Sequence, residues 1–178
     1  MNPVAWLYIK MFLVFGPGFG IFMSLTDLLF GVGFQFNQFL FRTLFFGVTM
    51  SVLLVSIHVA GLRGKGVKIF SKENLNPIQK RSIDSAVNKN QLIEKISTDP
   101  VLRGMDIKET ELGLILKSDM SLFSSGNRIS IQNDPKVGLV NHYEIVSRPV
   151  LKSTLLDYGT SYNQVTRLEK LLIQECSN

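Results

Sequence analysis

The first 61 residues contain only three formal charges, Lys10, Asp27 and Arg42, and hold 11 of the 13 phenylalanines. A run of basic residues beginning at Arg63 ends this stretch abruptly. A hydrocarbon core about 30 Å thick is crossed by about 20 apolar helical residues, each rising about 1.5 Å. Two such segments fit, at 7–29 and 39–61, joined by GVGFQFNQ at 31–38. The glycines and amides of that link suit a tight interfacial connection, and so short a link makes the two spans an antiparallel hairpin. A soluble domain core is the alternative, and two consecutive segments of this apolar density are uncommon in one.

The opening MNPVAW has no basic side chain, and GPGFGIFM at 16–23 offers no small-residue cleavage site. The segment is therefore expected to be a retained anchor rather than a signal peptide. Trp6, Tyr8 and Lys10 are spaced to sit among headgroups. After the second span come Arg63, Lys65, Lys68, Lys72, Lys80 and Arg81 against one acid, Glu73. Basic flanks stay inside, so both termini are expected in the cytoplasm, with 31–38 outside. Arg63, Lys65, Lys68 and Lys72 are the candidate contacts to anionic inner-leaflet headgroups, which attract each basic residue by about 1 kcal/mol.

The remaining part, roughly 110 residues, is long enough for one small domain. It carries most of the net charge of +5. A nucleic-acid surface would need a basic stripe with interleaved aromatics, and only Phe70 and Phe123 remain downstream. Membrane proximity explains the basicity better, and no nucleic-acid partner is expected.

Residues 62–76 read as a basic juxtamembrane linker and 77–178 as the domain. RSIDSAV at 81–87 alternates as a half-buried strand does. Asn88 with Gln91 forms a capping box opening a helix whose stripe is Leu92, Ile93 and Ile96, and Asp99-Pro100 ends it. Further strands are expected at 105–111, 112–118, 128–132 and 139–147, with 150–156 as a possible extension of the sheet. Ser161 with Gln164 is expected to open a last helix carrying Val165, Leu168 and Leu172 inward, with Arg167, Lys170 and Gln174 outward. The order β-α-β-β-β-β-α predicts a membrane α-hairpin followed by a cytoplasmic α+β domain, an antiparallel sheet with both helices packed on one face. That order is topologically similar to the TATA-binding-protein-like and helix-grip folds, a similarity that carries no function.

The opening MNPVAWLYIK, the LTDLLFGVGF segment, the LRGKGVK exit and the closing SRPVLKSTLLDYG together resemble a family of uncharacterised bacterial two-pass membrane proteins. The resemblance covers essentially the whole chain. It implies an architecture and a place in the bacterial inner (cytoplasmic) membrane as a multi-pass protein, and no active site.

Chemistry-bearing groups are sparse. Cys176 is the single cysteine, near the end of the chain, and cannot form an internal disulfide. His58 and His142 belong to different compartments and cannot share a metal. His142 and Glu144 share a strand face, and a solvated surface is the preferred reading. Gly16-Pro17-Gly18-Phe19-Gly20 lies inside the first span, where it serves helix approach rather than phosphate binding; Gly47 and Ser51 are the matching small residues in the second. Asp27 and Arg42 form a candidate membrane ion pair, read as border residues facing each other across the turn. His58 is read likewise, beside Arg63 and Lys65. No catalytic residue, metal or cofactor is expected. Three readings follow: a non-enzymatic anchored interaction module, accessory or scaffold in kind; a subunit of a larger membrane complex or transporter, or a homo-oligomer; and a tethered lipid- or small-ligand-binding domain of helix-grip type.

Overall fold

The computed structural model describes residues 2–120, 125–135, 141–151 and 153–173. Helix α1 spans Pro3–Leu29 and α2 spans Phe36–Gly64. At about 1.5 Å per residue they are about 40 and 43 Å long, and both are long and apolar enough to cross a membrane. Asn2 caps α1 by accepting a hydrogen bond from the Val4 amide, with Pro3 at the first helical position. The link between them turns through Gly31 and Gly33, whose φ of +74° and +78° side chains rarely adopt.

The two helices meet along a seam of small residues. Gly16, Gly20 and Ser24 of α1 are buried against Thr43, Gly47 and Ser51 of α2. A Cβ at Gly16 would lie 2.9 Å from the Thr43 carbonyl oxygen and 3.3 Å from the Gly47 Cα, so only glycine permits this approach. Phe19 and Phe46 stack beside the seam with centroids 3.9 Å apart. Apolar side chains on the outer surfaces, among them Phe22, Leu25, Phe41, Phe45 and Leu53, are left more than half exposed.

The rest forms a five-stranded antiparallel sheet with two helices. In chain order these are β1 (Gln79–Ser85), α3 (Lys89–Thr98), β2 (Asp106–Thr110), β3 (Gly113–Lys117), β4 (Asn127–Pro135), β5 (Asn141–Pro149) and α4 (Thr160–Ile173). The spatial order is β1-β5-β4-β3-β2. Inward-facing Ile83, Leu116, Ile129, Ile131, Tyr143 and Ile145 pack with Leu92 and Ile96 of α3 and Val165, Leu168 and Leu172 of α4. Both helices therefore cover one face, and the space between sheet and helices is filled. The Tyr143 hydroxyl donates to the Val87 carbonyl, 2.7 Å away, which satisfies the one polar atom this ring buries. The capping box at Asn88 and Gln91 is formed.

Several boundaries differ from the sequence expectation. The described residues of 150–156 add no strand, because Leu156 leaves the sheet to pack against the hairpin; position 152 lies outside the described residues. Asp157, rather than Ser161, caps α4: its carboxylate accepts hydrogen bonds from the Gly159 and Ser161 amides. Ser161 and Gln164 turn inward and accept from the buried Asn127 amide at 3.1 and 2.8 Å. An inward-turned Ser/Gln pair has the same spacing as a capping box, so the pattern misleads here. The segment expected as a linker is also packed. Val67 and Leu75 are buried in a second core with Leu7, Met11, Val55, Leu62 and Leu156. Position 139 and residue Cys176 lie outside the described residues.

Candidate functional site

That second core joins the hairpin to the sheet domain, and hydrogen bonds from both sides meet at its polar centre. Residues 156–159 lie across the last turns of α2. Gly61 makes this possible, since a Cβ there would sit 2.8 Å from the Tyr158 carbonyl oxygen. Tyr158 itself has a φ of +53°, uncommon for a residue with a side chain, and Gly159 follows at +74°. The strained turn aims its backbone at α2. The Tyr158 amide donates to His58 Nδ1 at 3.1 Å, and Lys65 Nζ donates to the Tyr158 carbonyl at 2.7 Å. Asp157, itself buried, holds the turn through its two amide contacts.

The polar groups of this knot are engaged with one another. His58 is fully buried, and because Nδ1 accepts a hydrogen bond, the neutral ring carries its proton on Nε2. Nε2 has no hydrogen-bond partner among the described residues. Burial pulls the pKa of Lys65 below its ordinary value, an effect the neighbouring Asp157 carboxylate partly offsets. The buried imidazole and the Lys65 amine both bond the Tyr158 backbone. They fix one domain on the other.

Residues singled out from sequence fare differently. Arg42 Nη1 donates to Asp27 Oδ2 at 2.5 Å and Arg42 Nη2 to Gln38 at 3.1 Å. Asp27 is in the last turn of α1 and Arg42 in the second turn of α2, so the pair stands beside the interhelical link. Lys65, expected as a headgroup contact, is half-buried and donates to the Tyr158 carbonyl. His58, expected as a border residue near Arg63 and Lys65, is sealed inside the joint. Arg63 lies over the Phe70 ring, 5.4 Å from its centroid. Lys68 and Lys72 are exposed. Lys72 also lines a groove of about 300 Å³ with Lys10, Trp6, Leu7 and Leu155, where the start of α1 meets the packed linker.

His142 is not paired with Glu144. Its Nδ1 contacts Asp84 Oδ1 at 2.6 Å and its Nε2 contacts Ser82 Oγ at 2.8 Å. The order Ser82–His142–Asp84 is that of a hydrolase relay. It lies on an open sheet face, however. Asp84 and His142 are direct cross-strand partners, so the triplet is a polar pairing of edge strand β1 with β5. Among the described residues no three His, Cys, Asp or Glu side chains converge as a metal site.

Sequence reasoning missed Asp157, Tyr158 and Gly159. The Asp four residues before Ser161 is a legible helix-start signal; the partnership with His58, a hundred residues away, leaves none. The chain matches no protein-family model, and comparison with curated proteins and with solved structures found no match.

Proposed function

We propose that this is a non-enzymatic protein of the bacterial inner membrane that holds a small α+β interaction domain against the cytoplasmic leaflet, as an accessory or scaffold component of a larger assembly. The observation that carries this reading is the joint: Tyr158 is bonded through both its amide and its carbonyl to α2, so the domain is set on the hairpin and is not swung from a tether. A catalytic domain gains nothing from such a mount; a surface that must meet a partner at a set height and angle does. The apolar outer surfaces of α1 and α2 support membrane insertion, since contiguous exposed patches of that size mark a lipid or protein contact. Arg63, Lys68 and Lys72 at the exit of α2 support a cytoplasmic domain and anionic-lipid contact. The filled interior between sheet and helices speaks against the ligand-binding alternative.

Solubilising the full chain in mild detergent and identifying co-eluting proteins by mass spectrometry tests the proposal. A membrane-protein partner, or a second copy, retained by the parent chain and lost from a variant with a broken joint is the expected outcome. A chain that elutes alone and binds a small apolar ligand stoichiometrically would overturn it.

A further inference from the structure

The sheet face opposite α3 and α4 carries its charges sorted by distance from the hairpin. The two cross-strand rows nearest the hairpin place Lys117, Arg128, Arg148, Lys108 and Lys80 outward against a single carboxylate, Asp106. The two far rows carry Glu144, and Asp84 with His142. The near end is fixed by bonding: Asn127, which precedes Arg128, donates to Ser161 and Gln164 of α4, and Tyr158, three residues before Ser161, is bonded to α2. At the same end Gln79, opposite Ser147, donates its side-chain amide to the Glu73 and Asn76 carbonyls of the packed linker.

Within the nearest row Lys117 is the direct partner of Arg128, and Arg128 of Arg148. Like charges directly opposite one another destabilise a sheet, and none of the three forms an ion pair with a described residue. They line, with Lys108 and Asp106, a shallow recess of about 750 Å³. Exposed apolar side chains lie beyond the strand ends: Val150 and Leu151 directly after β5, and Met120 after β3, past Ser118 and the exposed Asp119. Cations edged by apolar tips are the composition that settles at a lipid interface.

We infer that this row is a second membrane contact. Lys117, Arg128 and Arg148 take the phosphate groups of anionic lipids in the leaflet from which α2 emerges, and so press the open edge of the sheet face onto the bilayer surface. The inference rests on the proposed reading of α1 and α2 as a spanning hairpin. The bilayer is the occupant favoured over a soluble polyanion because this end of the sheet is the one bonded to the packed linker and to the end of α2, the segment that carries the basic residues Arg63, Lys68 and Lys72. The joint also keeps it close to the exit of α2, and surface attraction acts within a Debye length of about 8–10 Å.

The test uses the full chain in nanodiscs of phosphatidylcholine alone or mixed with phosphatidylglycerol. The acetylation rate of Lys117 is read by mass spectrometry against exposed Lys170 of α4 as internal reference. The expected result is a rate slowed about fivefold in the anionic discs, the factor matching about 1 kcal/mol per basic residue at such a surface. High salt and the Arg128→Gln/Arg148→Gln variant should each abolish the protection. Equal rates in the two discs, with the chain inserted, would overturn the inference alone. Protection by an added acidic peptide or oligonucleotide in zwitterionic discs only would overturn it in favour of a soluble partner. A chain that enters neither disc would overturn the hairpin reading and this inference together.

Discussion

Replacing Gly61 by alanine should release the sheet domain from the hairpin while leaving both folded. The added Cβ would meet the Tyr158 carbonyl oxygen at 2.8 Å and its carbonyl carbon at 3.4 Å. Both atoms are backbone, so no flexible side-chain end can yield, and residues 156–159 must move off α2. Two hydrogen bonds depend on that placement. The Tyr158-to-His58 bond is neutral, worth about 0.5–1.5 kcal/mol, and the Lys65-to-Tyr158 bond is charge-assisted, worth about 1.5–3 kcal/mol. Losing them weakens docking by about 2–4.5 kcal/mol, or about 30- to 1,600-fold in the docked-to-undocked ratio. Alanine should meanwhile favour the helix itself, since glycine is the poorer helix former by about 1 kcal/mol. Hydrogen–deuterium exchange of the full chain in nanodiscs reads the effect directly. The Tyr158 amide should exchange faster by about that factor, while amides of β4 and β5 stay protected. Gly64→Ala, three residues on with open space at its Cβ, is the control and should leave the Tyr158 amide unchanged. Equal protection of Tyr158 in Gly61→Ala and the parent chain would refute the argument.

Three further outcomes are expected. Replacing Asp27 by Asn and Arg42 by Gln together should leave insertion intact, and each single change should cost only about 0–1 kcal/mol, because the pair stands at the hairpin end with each side chain still about one-fifth to one-quarter exposed; a loss of about 3–5 kcal/mol for Arg42→Gln alone, measured by denaturant titration in micelles, would mean a deeply buried charge instead. Burial raises the pKa of Tyr143 above the usual tyrosine value, so on raising pH the unfolded chain gives up this proton first. The domain should hold its stability up to about pH 10 and lose it as pH climbs through the raised value; Tyr143→Phe should flatten that alkaline limb in circular-dichroism melts and cost about 1 kcal/mol at neutral pH. Ser82 should resist fluorophosphonate probes in activity-based labelling, and stoichiometric labelling abolished by His142→Ala would establish a hydrolase.

Local signals and distant ones were unequally legible. The two long helices could be read from apolar run length, and the element order of the domain from alternation, capping residues and turn chemistry, because each of these acts within a few residues. Gly16 and Gly20 in α1 and Gly47 and Ser51 in α2 were readable as small residues that let the helices approach, but Ser24 and Thr43 as further members of the seam were not, since which faces meet depends on helix rotation. The capping pattern at Ser161 and Gln164 misled because the same two side chains can satisfy either their own helix start or a buried amide, here Asn127. The charge at Lys65 pointed to lipid, yet its position at the end of α2 put it within reach of a backbone carbonyl that sequence could not bring there. Sorting of charge along the open sheet face needed the strand register, which no local pattern supplies.

The central claim is that α1 and α2 cross the bilayer as a hairpin with the domain mounted on its cytoplasmic end. Labelling of single cysteines by a membrane-impermeant maleimide tests it most directly, with Cys176 replaced by serine, Val32→Cys reporting the interhelical link and Ser153→Cys the domain. Both positions are exposed. In intact cells Val32→Cys should label and Ser153→Cys should label only after the membrane is permeabilised. Labelling of both positions from the same side, or of Ser153→Cys alone in intact cells, would contradict the account.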